Sequence, residues 1–307
     1  MIFFVSLHPL LNKVSLFRIK TMNTLGLWFR IVRPQTLFAS VCPVVVGLKI
    51  GGVFSWVDAI ITLVSAVALQ VLSNLINDYY DFKRGTDKKG RAGFKRALAE
   101  GVVSENQIKK ACFVALDVAV LSGAWLIWVG GWLIAVVGVT AILFAWLYTA
   151  TSKSLSYLGI ADVFVFIYYG FVATMGTIYI QWASSVSTVG FWNHVALKGF
   201  FGGAVCGLIS MCVLAINNIR DVDGDRIAGK RTFPVRFGKT AALVGMGVEV
   251  ALMPLFAYFA YGFGWEMAVV LPAIGMYVAT IRAEGEAYNR CLMSAGLVNA
   301  CYVILVL

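Results

Sequence analysis

The chain alternates long apolar runs with short charged connections. Apolar residues dominate 31–50, 53–76, 106–128, 131–150, 157–182, 196–218, 239–260, 265–282 and 288–307. Each run is roughly 18–25 residues, the length a helix needs to cross about 30 Å of hydrocarbon. Most lack a polar face, which a surface helix of a water-soluble fold would carry. The pattern predicts an all-α polytopic membrane protein with nine transmembrane helices. It divides the chain into an N-terminal segment, 1–30, and a single transmembrane domain, 31–307.

Composition agrees. The chain is 60% hydrophobic and 13% charged, whereas soluble domains are nearer half apolar and a quarter charged. Charge placement then sets the orientation, because Lys and Arg gather in cytoplasmic loops. On these spans 23 of the 25 basic residues fall on one side, and only Lys49 and Lys198 on the other. The N-terminus is therefore expected in the cytoplasm and the C-terminus outside. Trp56, Trp128, Trp132, Trp182, Trp192 and Trp265 sit near the poorly charged side, as an interfacial aromatic belt would. The net charge of +10 reads as topology; the basic residues flank spans and interleave with carboxylates, which argues against nucleic-acid binding. Cys42, Cys112, Cys206, Cys212, Cys291 and Cys301 form no CxxC pair and lie in apolar runs, so they read as small buried hydrophobes. His8 and His194 lie far from the acidic segments. Residues 1–21 lack the basic start and cleavage site of a signal peptide. Met22 is the expected biological start, with a short interfacial helix as the alternative.

Two connections break the apolar pattern with acids. Asn74, Asn77, Asp78 and Asp81 close the second run; Asn217, Asn218, Asp221 and Asp225 close the sixth. Residues at i, i+3, i+4 and i+7 share one helix face, so each set forms a polar stripe. Both stripes fall on the same predicted side of the membrane and can confront each other across a bundle. Ionisable groups at membrane depth are costly and mark function. Carboxylates alone would repel one another and any anion. Mg²⁺ resolves the conflict, because it takes oxygen ligands and is held by one or two carboxylates plus substrate phosphates. Opposed stripes with metal between them make a diphosphate site, whose remaining charge Lys153, Arg220, Arg226, Lys230 and Arg231 can neutralise. A single acidic patch would read as a solvated loop; two of one spacing do not. Asp221, Asp223 and Asp225 alternate as in a calcium-binding EF-hand. However, Arg226 and Thr232 stand where that loop needs Gly and Glu. Asp87 and Asp223 lie off the strict face.

These motifs resemble the UbiA superfamily of intramembrane aromatic prenyltransferases, closest to its 1,4-dihydroxy-2-naphthoate polyprenyltransferase branch. The resemblance runs from about Arg33 to Gly238 through "RPQTLFASVCPVVVG" (33–47), "NLINDYYDFKRGTD" (74–87), "GFKRALAEGVVSENQIKKA" (93–111), "YTATSKSLSYLGIADVFVFIYYG" (148–170) and "NNIRDVDGDRIAGKRTFPVRFG" (217–238). It implies helices around a central cavity under a cytoplasmic cap of loops, and a polyprenyl diphosphate donor. It implies Mg²⁺, two ions per site, held by Asn77, Asp78, Asp81 and Asp87 with Asn217, Asp221 and Asp225. Tyr148 and Lys153 match the segment where a basic residue helps hold the diphosphate, at an altered spacing. Phe94 stands where the pattern has Pro, and Ala161 where it has Gly.

The expected reaction is electrophilic aromatic substitution through an allylic cation. Metal and basic side chains take charge from the leaving diphosphate. Aromatic faces stabilise the cation, with Tyr79, Tyr80, Tyr148, Phe164, Phe166, Tyr168 and Tyr169 as candidates. Asp81, Asp221, Asp225 and Lys153 are the expected catalytic groups. Arg33, Asn74, Asn77, Tyr148, Asp162, Arg220 and Lys230 are the expected substrate contacts, with Arg33 paired to the acceptor's carboxylate or serving as a membrane anchor. Asp162 is either a base or a structural hydrogen-bonding group. An ion transporter is the non-enzyme alternative, and 4-hydroxybenzoate the alternative acceptor.

Overall fold

The structure, a computed structural model, describes residues 24–85, 96–151, 154–185 and 195–307. The described residues hold helices and no strand. A short α1 (Thr24–Ile31) precedes α2 (Pro34–Gly51) and α3 (Trp56–Lys83). Pro34 suits the first turn of α2, where its missing N–H is not needed. Ser55 caps α3 by accepting from Asp58 N at 3.3 Å. Helix α4 (Glu105–Leu147) starts at a capping box between Ser104 and Gln107. After it come α5 (Leu155–Leu158) and α6 (Ala161–Val165), which continues through a π-helical stretch, Phe166–Val172, into α7 (Ala173–Ser184). Then follow α8 (Ala196–Arg220), α9 (Val222–Ile227), α10 (Phe233–Phe237), α11 (Lys239–Tyr261), a 3₁₀ turn (Trp265–Val269) leading into α12 (Val270–Ile281), and α13 (Ala287–Val306).

Seven of these helical stretches are long and apolar enough to cross a membrane. The difference from nine has two sources. Trp265–Ile281 is apolar but shorter. The third and fourth predicted spans form one 43-residue helix, α4, broken only at Gly131 (φ 69, ψ −156). A straight helix of that length would run about 65 Å, twice the hydrocarbon thickness. Contacts show that it reverses. Glu105 pairs with Lys83 at 2.8 Å, at the end of α3. Trp125 donates to Asp58 at 2.7 Å, at the opposite end. The residues just after α4 return, with Asn77 donating to Thr149 Oγ1 at 3.0 Å.

The bundle thus has an acidic end, with Asp78, Asp81, Asp221 and Asp225, and a far end. At the far end Gln181 accepts from Phe54 N and Ser55 N at 2.9 and 3.0 Å, Ser184 donates to Asp58 at 2.7 Å, and Lys49 donates to the carbonyl of Leu307 at 2.9 Å. The C-terminus therefore lies at the end away from the acids.

Helix α8 is the axis. Of its most apolar 18 residues 83% are buried, against 17% for α4 at the rim. In lipid the hydrophobic effect does not drive helices together, so close packing of small residues must. A Cβ on Gly170 would lie 2.8 Å from Gly203 O, and one on Gly203 would lie 2.9 Å from Gly170 O. Gly203→Val should therefore destabilise the detergent-solubilised protein by about 1–3 kcal/mol, read as a lowered thermal midpoint. Gly245→Ala, whose Cβ meets nothing within 4 Å, is the control that should leave it unchanged. Equal midpoints for the two variants would refute the close contact.

Candidate active site

The acidic stripes meet because α3 and α8 both end at the same face, and because the turn after α9 folds back over it. Gly229 takes φ 75 there, a conformation glycine adopts freely, and Lys230 N donates to Asp225 O at 2.9 Å. This places Lys230 Nζ 3.3 Å from Asp81 Oδ1 and 3.5 Å from Asp225 Oδ1. The two motifs are joined through that one ammonium. Burial pulls the Lys230 pKa down, but the charges of Asp81 and Asp225 push it up more strongly, and the net shift is upward. Lys230 therefore stays cationic at neutral pH. The loop is seated further by Gly159, φ 74, where a Cβ would fall 2.3 Å from Arg231 O.

The other acids are held by arginines. Asp78 pairs with Arg33, and with Arg96 at 3.1 Å. Arg33 has φ 57, the only positive φ at a non-glycine among the described residues. A side chain there is strained by roughly 1–3 kcal/mol, which its pairing with Asp78 helps offset. Asp221 receives both Nε and Nη2 of Arg220, at 2.9 and 2.7 Å.

A cavity of ≈ 1020 Å³ opens at this end and runs between the helices. Its mouth is lined by Asn77, Asp81, Arg84, Arg96, Asn217, Arg220, Asp221, Asp225 and Lys230. Deeper in, Gln70, Asn74 and Tyr169 form a polar belt. Tyr169 donates to Gln70 Oε1, Gln70 to Asn74 Oδ1 at 3.2 Å, and Asn74 to Val32 O and Thr36 Oγ1 at 3.1 and 2.9 Å. The remaining wall includes Val44, Leu69, Leu126, Ile134, Val137, Phe144, Phe164, Val165, Tyr168 and Ile180. One end is thus charged and the rest largely apolar, as an amphiphile with a strongly anionic head requires.

The oxygen donors suit a hard divalent cation. Asp81 Oδ1 is buried and accepts no hydrogen bond, its near cation being Lys230, and Thr232 Oγ1 at the same cavity is likewise without a hydrogen-bond partner. Asp81 and Asp225 already converge on a positive charge. Among the described residues no group of three His, Cys, Asp or Glu forms a preassembled cage. Mg²⁺ does not need one, since it binds through one or two carboxylates together with substrate phosphates.

Several expected residues fall elsewhere. Asp78 does not line the cavity; its carboxylate belongs to the Arg33–Arg96 cluster beside it. Arg33 reaches the wall but is paired with Asp78. Asp162 does not line the cavity, nor do Tyr79, Tyr80 and Phe166, whereas Tyr148, Phe164, Tyr168 and Tyr169 do. Asp87 and Lys153 lie outside the described residues. Sequence reasoning did not single out Arg84, Arg96, Gln70 and Phe144. The basic pair looked like ordinary loop charge, although Arg84 follows Asp81 by three residues and so shares its helix face.

Residues 37–293 match the model of the UbiA prenyltransferase family. The chain belongs to that family: it is a prenyltransferase and an integral membrane protein. It is 31% identical over 300 residues to the 1,4-dihydroxy-2-naphthoate octaprenyltransferase of Escherichia coli (strain K12), covering 90% of this chain and 94% of that one. To the protein of the same description from Mycobacterium leprae (strain TN) it is 37% identical over 253 residues, 78% of this chain and 82% of that one. Its fold is that of a UbiA homolog from Archaeoglobus fulgidus bound to GPP and Mg²⁺, with a TM-score of 0.62 at 18% identity over 91% of this chain and 97% of the other.

Proposed function

We propose that the chain transfers a polyprenyl group from its diphosphate to 1,4-dihydroxy-2-naphthoate, releasing diphosphate and CO₂. The observation that carries this reading is the meeting of Asp81 and Asp225 at the charged mouth of an otherwise apolar cavity. The bacterial relatives named for the naphthoate support the acceptor, and the archaeal neighbour's GPP and Mg²⁺ support the donor and the metal.

Asp81 and Asp225, with Asp221 and the amide oxygens of Asn77 and Asn217, are the residues that would hold Mg²⁺, two ions per site with Asp87. Bound there, Mg²⁺ supplies Lewis acidity toward the diphosphate oxygens. Lys230, Arg84 and Arg96 surround the same mouth and take up charge as the allylic C–O bond breaks. The apolar wall keeps water from the cation. Tyr148, Phe164, Tyr168 and Tyr169, with Phe144, line the same cavity and are the rings that would stabilise the cation. The Gln70–Asn74–Tyr169 belt gives a hydroxylated, carboxylated ring a hydrogen-bonding surface inside the cavity. An ion pathway would instead need polar groups along the whole cavity. The deciding experiment supplies purified protein with one polyprenyl diphosphate and both aromatic acids, and identifies the product by mass.

The nine passes of the sequence pattern remain our reading of the topology, with α4 counted as two passes and Trp265–Ile281 as one. The acidic end faces the cytoplasm and the C-terminus lies outside. Ile227 is 85% exposed at the acidic end, and Phe263 is 92% exposed just beyond α11. Cysteines placed at these two positions should react with a membrane-impermeant maleimide from opposite faces of sealed vesicles. Reaction from the same face would refute this topology.

A further inference from the structure

The Arg220 side chain is only 3% exposed, and its guanidinium is held from three sides. Asp221 takes Nε and Nη2 at 2.9 and 2.7 Å. Asn217 Oδ1 takes Nη2 at 3.0 Å. The third partner comes from another helix: Nη1 donates to Asn289 Oδ1 at 3.0 Å. A guanidinium has only donors, so the Asn289 atom facing it is the amide oxygen. Asn289 lies in the first turn of α13, does not line the cavity, and reaches the second acidic motif through Arg220.

We propose that Asn289 is a positioning residue for the second acidic motif. It acts through Arg220, which it locks in the one orientation that presents Asp221 and Asn217 to the cavity. The inference rests on the metal-dependent reading above.

The chemistry explains why a neutral amide stands there. Arg220 brings one positive charge, and Asp221 uses it. A second carboxylate would divide that charge; an amide oxygen supplies direction without competing for it. The location is equally specific. Tyr288, Cys291, Leu292 and Ala295 of α13 are buried in one cluster with Ile216 and Ile219 of α8. Asn289 therefore sits at the end of a packed helix pair, on a rigid support. Partners that orient a metal's own ligands typically govern affinity by 10–100-fold.

The test uses Mn²⁺ as a paramagnetic stand-in, bound to the purified full chain with inorganic pyrophosphate and followed by electron paramagnetic resonance. Asn289→Leu keeps the side chain's shape and removes the acceptor. It should raise the Mn²⁺ Kd about tenfold, while the metal-free thermal midpoint stays within a few degrees of the parent. Asn289→Asp restores an oxygen at the same atom but shares the charge of Arg220, so its Kd should fall between those of the parent and the leucine variant. A leucine variant with parental Mn²⁺ affinity overturns the inference. So does an aspartate variant as weak as the leucine one, because packing alone would then account for both. If the leucine variant does not fold, Asn289→Ala carries the same expectation. A parent protein that binds no Mn²⁺ overturns the metal reading itself, and the inference with it.

Discussion

Asp81→Asn and Asp225→Asn should each lower turnover by about a thousandfold while leaving the protein folded and membrane-inserted. The size follows from what each carboxylate is asked to do. Metal binding at a leaving diphosphate is worth several kcal/mol of transition-state stabilisation, and about 4 kcal/mol is near three powers of ten. The fold should survive because the two acids share one cation. With Asp81 neutralised, Lys230 keeps Asp225 at 3.5 Å, and with Asp225 neutralised it keeps Asp81 at 3.3 Å. EDTA should reproduce the loss in the parent, and added Mg²⁺ should reverse it. Asp78→Asn provides the contrast. Its carboxylate lies between Arg33 and Arg96, off the cavity wall. Removing one partner of a buried ion pair costs about 3–5 kcal/mol, so this variant should show a clear drop in thermal midpoint with little change in Mg²⁺ requirement. Normal turnover in either of the first two variants would remove those acids from the metal site. An Asp78 variant of parental stability and weakened Mg²⁺ response would return Asp78 to it.

Asp78 shows how far the sequence could be read. The stripe Asn74–Asn77–Asp78–Asp81 is legible because helical period alone puts those residues on one face, and that face does turn toward the centre. Which acid lines the cavity and which turns to the Arg33–Arg96 pair is set by residues 45 before Asp78 and 18 after it. No local pattern encodes that choice. Arg33 needs a left-handed backbone to make its contact, and nothing in "RPQ" announces it. The spans were legible for the same reason as the stripe: a membrane demands about 20 apolar residues per pass. The break at Gly131 was legible only as a boundary, because "VGGW" carries none of the charge that a connection in water would. The π-helical stretch at Phe166–Val172 left no signal. Its glycine, Gly170, lies against Gly203 of α8, a contact that the residues of the stretch do not announce. Lys230 was legible as a basic residue near the second motif. Its position between Asp81 and Asp225 depends on the fold-back at Gly229.

Carboxyl-labelled 1,4-dihydroxy-2-naphthoate, supplied with a polyprenyl diphosphate and Mg²⁺, should release labelled CO₂ in step with diphosphate. The stoichiometry follows from the ring. The neighbouring hydroxyl makes the carbon that bears the carboxylate electron-rich, and attack at that carbon is what couples prenylation to loss of CO₂. When the allylic cation bonds there, that carbon becomes tetrahedral and the ring loses aromaticity. Breaking the bond to the carboxylate returns its electron pair to the ring, CO₂ leaves, and a prenylated quinol remains. 4-Hydroxybenzoate behaves differently, because attack occurs beside its hydroxyl, at a carbon that carries hydrogen. There a proton leaves and the carboxylate survives. The label therefore distinguishes the two acceptors within one assay. The cavity suits either ring by volume, and its polar belt of Gln70, Asn74 and Tyr169 carries no fixed positive charge to hold a carboxylate permanently. A substrate whose carboxylate is lost during the reaction needs no such anchor in its product. Prenylated hydroxybenzoate with its label retained, and no turnover of the naphthoate, would overturn the acceptor while leaving Asp81, Asp225 and Lys230 at the diphosphate site.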